Sequence, residues 1–426
     1  MPEVIDYDRL MEQERLNVVI ADGGGRGHAL EWKLLQAARI GNISRMPYSP
    51  SLIDFATNPD NAVDLVVFGA QAGLAEGAVN TLTSEGIAAF GPTSEAAYLE
   101  TYRPEAKERI QDLGIPTAAY GVFDKPRLAH EFIEAWQKPV YVKAAGDAGG
   151  HGALQGFTLM AAHCAVEDIM VRRKFGDAGA EVVIEEYLFG NEVSLHAFCD
   201  GETYLMLPLS QDYKKLDDSS EGLNTGGVGA ISPVPGYSQE QTDVYGDVTI
   251  RPVLSAFHKE GINYNGVIYP GLMVANGMIR VLEYNVRFGD PETQVYVRRL
   301  GSDLLEIITS TVAHRLDRVK PVWSDKYAVC IVAASEGYPE EFEVGKRIHG
   351  IERANALDDV EVFLAGTIEQ DREFLTSGGR VLGVTAVAET LSDAIDLGYE
   401  AMDEIYFEGK VVNPYIGAQH VNDAFG

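Results

Sequence analysis

Apolar and polar positions along this chain fall into short blocks that switch between strand-like and helix-like spacing. Residues 16–22 (LNVVIAD) form a continuous apolar run, the pattern of a strand buried on both faces. Gly23-Gly24-Gly25 punctuates it, and HALEWKLLQAA then carries helical spacing. A short apolar run followed by small residues recurs at 64–69 and again at 87–92. Together these predict an open, mostly parallel sheet in the first hundred residues. A second unit begins near 103. There, 138–143 (KPVYVK) reads as a strand followed by AAGDAGGHGAL, a glycine-rich hairpin rather than a strand-to-helix turn. Residues 181–188 read as another strand. Beyond 320, β-rich runs alternate with loops, and 391–405 (LSDAIDLGYEAMDEI) is spaced as a helix. Strands alternating with helices over most of the length predict an α/β protein.

Composition adds exclusions. The content is 46% hydrophobic and 23% charged, ordinary for a globular chain. No apolar run approaches the roughly 20 residues of a membrane span, and the charged N-terminus lacks the core of a signal peptide. Cys164, Cys199 and Cys330 lie far apart with no CxxC spacing. That points to unpaired thiols in a reducing, cytoplasmic setting and away from a zinc site. Acidic residues outnumber basic ones 64 to 34, a net charge of −30, so nucleic acid and anionic lipid are repelled. A polyanionic substrate would have to be met by particular lysines and arginines.

The chemistry concentrates in 278–293, MIRVLEYNVRFGDPET. Alternation along a strand puts Leu282, Tyr284, Val286 and Phe288 on one face and Glu283, Asn285 and Arg287 on the other. Carboxylate and amide oxygens are hard ligands suited to Mg²⁺, and a neighbouring guanidinium can hold a carboxylate or phosphate. A solvated Glu–Arg pair would give the same pattern. In SQDYK (210–214), Asp212 and Lys214 share a face if the backbone is extended. In the following NTGGVGA, Gly226, Gly227 and Gly229 let the backbone approach a ligand closely. The early GGGRGHA loop opens a helix, where free N–H groups favour anions, although a bare tight turn would look the same.

SQDYK, NTGGVGAISP, LEYNVRFGDPETQ and GGRVLGVTA together resemble the phosphoribosylamine–glycine ligase family. That resemblance implies an ATP-grasp fold: a Rossmann-like N-terminal domain (1–102), ATP-grasp domains (103–325, with a small clamp at about 116–190) and a β-rich C-terminal domain (326–426). It implies an ADP-forming ligase that activates a small carboxylic acid as an acyl phosphate and joins it to an amine. Glu283 and Asn285 would then hold Mg²⁺ (or Mn²⁺), and Arg287, Lys214 and Asp212 would be catalytic. ATP would meet Arg103, Lys143, Gly150, His151, Gly152, Glu185, Leu188 and Glu192. Asn224, Thr225, Gly226, Gly227, Asp290, Arg26 and His28 would bind substrate. The partners would be small molecules, with no nucleic acid or membrane, and the protein a monomer or small homo-oligomer.

The chain departs from the family's pattern at several points. Arg103 stands where the family has its first ATP lysine, and the phosphate loop reads Gly150-His151-Gly152, preceded by Asp147, where the family ends in Gly-Lys-Gly. Gly27 replaces a glutamate, Ala70-Gln71 a Pro-Glu pair, and IGNISRMPYSP a Pro-Gly-Asn-Ala-Gly motif. Because the last three fall in the N-terminal domain, which in the family helps hold phosphoribosylamine, the resemblance with these departures raises the expectation of a ligase for glycine, or a similar small amino acid, with a different amine acceptor. The alternatives are the ordinary ligase of purine synthesis and an inactive nucleotide-binding relative.

Overall fold

Four parallel strands open the chain: β1 (Leu16–Ala21), β2 (Ile40–Met46), β3 (Leu65–Phe68) and β4 (Ala88–Phe90), in the order β2-β1-β3-β4. The coordinates are a computed structural model that describes residues 5–148, 152–216 and 224–422. β1, β3 and β4 are the predicted apolar runs, buried because the sheet is covered on both faces. β2 is the strand that hydrophobic spacing does not predict. It lies at the sheet edge and is mostly half-exposed, so its sequence IGNISRM carries no apolar run. The helix Gly25–Leu34 starts in the glycine run and buries Ala29, Leu30 and Leu34.

The predicted hairpin follows the helix Arg103–Asp112. Strands β5 (Tyr120–Phe123), β6 (Val140–Ala144), β7 (Ala153–Gly156) and β8 (Val182–Glu186) make an antiparallel sheet, β5-β8-β6-β7, with Lys143 opposite Ala153. Gly150 and His151 lie outside the described residues. The helices Pro126–Trp136 and Leu159–Val166 close a small core against this sheet through Ile133, Val166 and Ile184.

The chain continues through β9 (Asn191–Ser194), β10 (Ala197–Cys199), β11 (Tyr204–Met206), β12 (Gln211–Tyr213) and β13 (Gly229–Ser232). After the helix Gln239–Glu260 come β14 (Gly266–Ala275) and β15 (Met278–Asn285). β9, β10, β11, β14 and β15 form one antiparallel sheet. Its packing continues into the N-terminal domain, where Tyr284 and Val286 share a core with Phe68 and Leu82. The register of β15 corrects the simple alternation. Gly271 pairs with Glu283 but Leu272 with Val281, so Leu282 is an extra residue in a bulge. Val281, not Leu282, joins Tyr284, Val286 and Phe288 in the core.

The C-terminal strands are β16 (Tyr327–Ser335), β17 (Arg347–Ile348), β18 (Val360–Leu364), β19 (Thr367–Gln370), β20 (Glu373–Thr376), β21 (Arg380–Ala388) and β22 (Lys410–Val412). β12 and β13, although they come between the strands of the central sheet in sequence, join this one in the order β12-β13-β16-β21-β18. The predicted helix is present as Leu391–Asp403. Asp212 is thus carried by the C-terminal sheet, while Glu283 and Asn285 are carried by the central one. All three cysteines are free. Among the described residues no helix is long and apolar enough to cross a membrane.

Candidate active site

The three units meet around a cavity of about 950 Å³. Arg26, Gln71 and Glu100 reach it from the first domain, Lys143, Glu185 and Leu188 from the clamp, and Glu283, Asn285 and Arg287 from β15 and the turn after it. Asp212, Lys214, Asn224, Thr225, Gly226, Asp290, Arg103 and Glu192 line it as well. Most of the sequence-predicted site residues therefore share one cavity.

Three do not. His28 accepts from the Leu364 backbone N–H through Nδ1 at 2.8 Å and packs edge-on to Phe363. Burial, and then Arg45, push its pKa down, and its contacts place it against β18, away from the cavity lining. Gly152 is a hairpin residue whose carbonyl accepts from Ala144 N. Gly227 sits behind the wall, with φ +102°, and a Cβ there would lie 2.7 Å from Asp212 Oδ1 and 2.9 Å from Asp290 O. Only glycine fits that approach.

Charge in the cavity is organised in layers. At the clamp end Glu185 Oε2 accepts from both Lys107 and Lys143, each at 3.0 Å. Burial acts to raise the Glu185 pKa, but the two ammonium groups outweigh it and hold the carboxyl below its ordinary range. Burial pushes Lys107 down to about 8, against the opposing pull of Glu185. Lys107 is a buried cation beside the cavity that the sequence reading did not single out. It lies one turn after Arg103 on the same helix, a spacing that places both side chains on one face. Beside this group, Tyr141 stacks on Tyr187 with ring centroids 5.0 Å apart, and both line the cavity.

In the middle layer Arg103 donates to Glu283 Oε2 at 2.8 Å, and Lys214 donates to Glu192 Oε1 at 2.5 Å. Burial would raise the Glu283 pKa, yet Arg103, Lys214 and Lys143 hold it well below the ordinary carboxylate range. Burial works against the charge on Lys214, but Glu192, Glu283 and Asp212 keep it a firm cation. Arg287 donates to Glu100 Oε1 and to Asn285 Oδ1, both at 3.0 Å, while Glu100 Oε2 accepts from Val286 N. Asp212 differs from these. It is half-buried, its Oδ1 atom is enclosed and has no hydrogen-bond partner, and burial followed by Glu292 drives its pKa well up.

At the far end Arg380 donates to the Gly226 and Asp290 carbonyls, each at 2.7 Å, and pairs with Asp290 Oδ2 at 3.2 Å. It lies in the GGRVLGVTA motif, but its reach across to the central domain is not legible from sequence. Arg26 donates to Asp22 Oδ2 at 2.5 Å and to the Phe288 carbonyl at 2.9 Å. Asp22 is buried directly beside Gly27, where an added Cβ would lie 2.4 Å from the Asp22 carbonyl oxygen.

The donors fit a divalent ion of the Mg²⁺ type. Glu283 and Asn285 offer two hard oxygens from one strand, facing the cavity beside the lysines. Among the described residues no three His, Cys, Asp or Glu side chains are arranged to hold a metal by themselves.

Comparison with known proteins gives the same picture along the whole chain. The N, ATP-grasp (A) and C domains of phosphoribosylglycinamide synthetase match residues 16–100, 104–293 and 328–419. The phosphoribosylamine–glycine ligase of Caulobacter vibrioides is 39% identical over 421 residues, 95% of this chain and 98% of that protein. The one from Caldanaerobacter subterraneus subsp. tengcongensis is 37% identical over 411 residues, covering 92% and 97%. A crystal structure of the Thermotoga maritima phosphoribosylamine–glycine ligase superposes with a TM-score of 0.81 at 30% identity, covering 94% of this chain and all of that one. Biotin carboxylases such as that of Campylobacter jejuni, at 14% identity and TM-score 0.69, share the fold. With its three domains matched in order and its charged cavity at their junction, this chain belongs to the phosphoribosylamine–glycine ligase family of ATP-grasp, ADP-forming carbon–nitrogen ligases.

Proposed function

We propose that the chain joins glycine to phosphoribosylamine, with ATP converted to ADP and phosphate. The observation that carries this reading is the single cavity in which Arg26, Gln71 and Glu100 of the first domain face Asp212, Lys214 and Arg287. The expectation of a different acceptor gives way. It rested partly on a carboxylate lost at position 27, and Asp22 supplies one in that corner. Relatives aligned over nearly their full length carry the name phosphoribosylamine–glycine ligase, which also favours the ordinary acceptor.

In this reading a glycine carboxylate oxygen bonds to the γ-phosphorus while the bond to the β,γ-bridging oxygen breaks and ADP leaves. The acceptor amine then attacks the carbonyl carbon, the C–O bond to phosphate breaks, and the nitrogen loses a proton to leave the amide. Lys143, Lys107 and Arg287 offset the charge of the phosphates and of the transferring group. A divalent ion at Glu283 and Asn285, when bound, supplies further charge neutralisation there. Asp212 Oδ1, buried and unpartnered, is the slot for the glycine ammonium, whose arrival would restore the carboxylate to its charged form.

The test is phosphate release from ATP with glycine and phosphoribosylamine generated in place, alongside a panel of other amines, with the product identified by mass. Glycinamide ribonucleotide is the expected product. Turnover with another amine and none with phosphoribosylamine would overturn the reading.

A further inference from the structure

The clamp carries a second cluster of titratable groups away from the cavity. His130 and Glu134 stand one turn apart on the helix Pro126–Trp136. His163 and Glu167 stand one turn apart where Leu159–Val166 runs on into the π-helical turn Glu167–Val171. The helices pack so that the two imidazole centroids are 4.8 Å apart and their Nδ1 atoms 2.7 Å apart. Each outer nitrogen faces a carboxylate from the other helix: His130 Nε2 lies 3.1 Å from Glu167 Oε1, and His163 Nε2 lies 2.9 Å from Glu134 Oε1.

Counting protons shows what is missing. A ring nitrogen within hydrogen-bond distance of a carboxylate must be the donor, since two lone pairs would repel. A neutral imidazole protonated on Nε2 presents a bare lone pair on Nδ1. With both rings oriented in this way, two lone pairs converge on one point, and a cation must stand between them. A proton can fill that gap, but so can a metal ion. Imidazoles that bind metal characteristically donate their other N–H to a carboxylate, which fixes tautomer and ring orientation. The geometry here supplies that arrangement twice, face to face.

We propose that this cluster binds one late first-row divalent ion of the Zn²⁺ class through Nδ1 of His130 and Nδ1 of His163. Two ligands at about 2.0–2.1 Å in tetrahedral array need their nitrogens roughly 3.3 Å apart. Small rotations of two rings that are each 27% exposed reach that separation. Water completes the coordination shell, and Glu134 and Glu167 remain the acceptors of the outer N–H groups. Imidazole donors select Zn²⁺, Cu²⁺ or Ni²⁺ over Mg²⁺, so the site does not compete for the ion of the ligase centre. The net charge of −30 raises the local concentration of any cation. Bound there, the ion would staple the two helices that cover the clamp sheet.

The experiment is calorimetric titration of the full chain with ZnCl₂ near neutral pH in excess Mg²⁺. One saturable equivalent of Zn²⁺ is expected in the wild type and in Cys164→Ser, and none in the double variant His130→Asn, His163→Asn. Glu134→Gln with Glu167→Gln should weaken binding about 10–100-fold, the scale for losing such outer partners. Thermal melts give a second reading: Zn²⁺ should raise the midpoint of the wild type and leave the histidine variant unmoved, while without Zn²⁺ both unfold cooperatively. Unchanged Zn²⁺ stoichiometry in the histidine variant would overturn the proposal. So would the absence of saturable binding in the wild type, which would mean that the gap holds a proton alone. Neither result bears on the ligase reaction.

Discussion

Arg103 donates to Glu283 Oε2 at 2.8 Å, so a guanidinium holds the carboxylate best placed to ligate a divalent ion. Asn285 is engaged in the same way by Arg287 at 3.0 Å. Both candidate metal oxygens therefore have a cationic partner belonging to the protein. The pairing stabilises a carboxylate that burial would otherwise protonate, and it keeps Glu283 ionised and ready.

Glu283→Gln keeps the shape and one hydrogen bond to Arg103 but removes the charge. Turnover should fall by about 100-fold or more, the scale of losing a charged transition-state contact. Manganese binding followed by electron paramagnetic resonance in the presence of ATP should weaken in parallel. The melt should remain cooperative. Near-normal turnover in a folded variant would remove Glu283 from the metal site.

The strand that carries Glu283 and Asn285 was legible in sequence because its two faces differ so sharply. The bulge at Leu282 was not, since Val281 and Leu282 are both apolar and hide the shift of phase that the inserted residue makes. The glycine hairpin after Lys143 was legible from its turn residues. By contrast, the pairing of β12 and β13 with β16 is non-local, and nothing within 210–232 states which sheet those strands will join. The contact of His28 is hidden for the same reason, because its partner, Leu364 N, lies 336 residues away. Lys107 was overlooked although its signal was present, one turn beyond Arg103 and facing the same way.

Lys107 sets a pH dependence. Its folded pKa of about 8 lies below the ordinary 10.5, so between those values the unfolded chain binds more protons, and stability from this group rises with pH. Nucleotide binding should behave oppositely, because phosphates favour the charged ammonium. ATP affinity should decline as pH rises past 8, and binding at about pH 8.5 should take up a proton. Calorimetry in buffers of different ionisation enthalpy reads that uptake directly. Lys107→Met should abolish it, and equal uptake in both proteins would exclude Lys107 as its source.

Arg380 ties the C-terminal sheet to the loops lining the cavity through the carbonyls of Gly226, Gly227 and Asp290 and through the Asp290 carboxylate. Arg380→Leu leaves the half-buried Asp290 with Gln294 but without its closest cation, so stability should drop by about 2 kcal/mol in urea denaturation. Because Gly226 and Asp290 line the cavity, kcat/KM should fall further than the stability loss explains, even where the variant is fully folded. A variant with lowered stability and normal kinetics would show that Arg380 only holds the domains together.

The sharpest test concerns Gly27 and Asp22. A Cβ at position 27 would stand 2.4 Å from the Asp22 carbonyl oxygen and 2.9 Å from its Cβ, distances that no ordinary contact reaches. Gly27→Glu alone should therefore displace the glycine loop, release Arg26 from Asp22, and raise KM for the acceptor amine at least about tenfold, with glycine and ATP less affected. Adding Asp22→Gly removes the clashing Cβ and gives the backbone at 22 the freedom to move its carbonyl aside. The new glutamate then takes over the role of the aspartate beside Arg26. The double variant should recover acceptor KM to within a few-fold of wild type, and Asp22→Gly alone, which leaves Arg26 without a carboxylate, should not. Such a pattern is strong coupling between neighbours, measurable as a double-mutant cycle. Additive losses instead of recovery would mean that Asp22 does not stand in for the glutamate, and the acceptor corner would then have to be read as rebuilt for another amine.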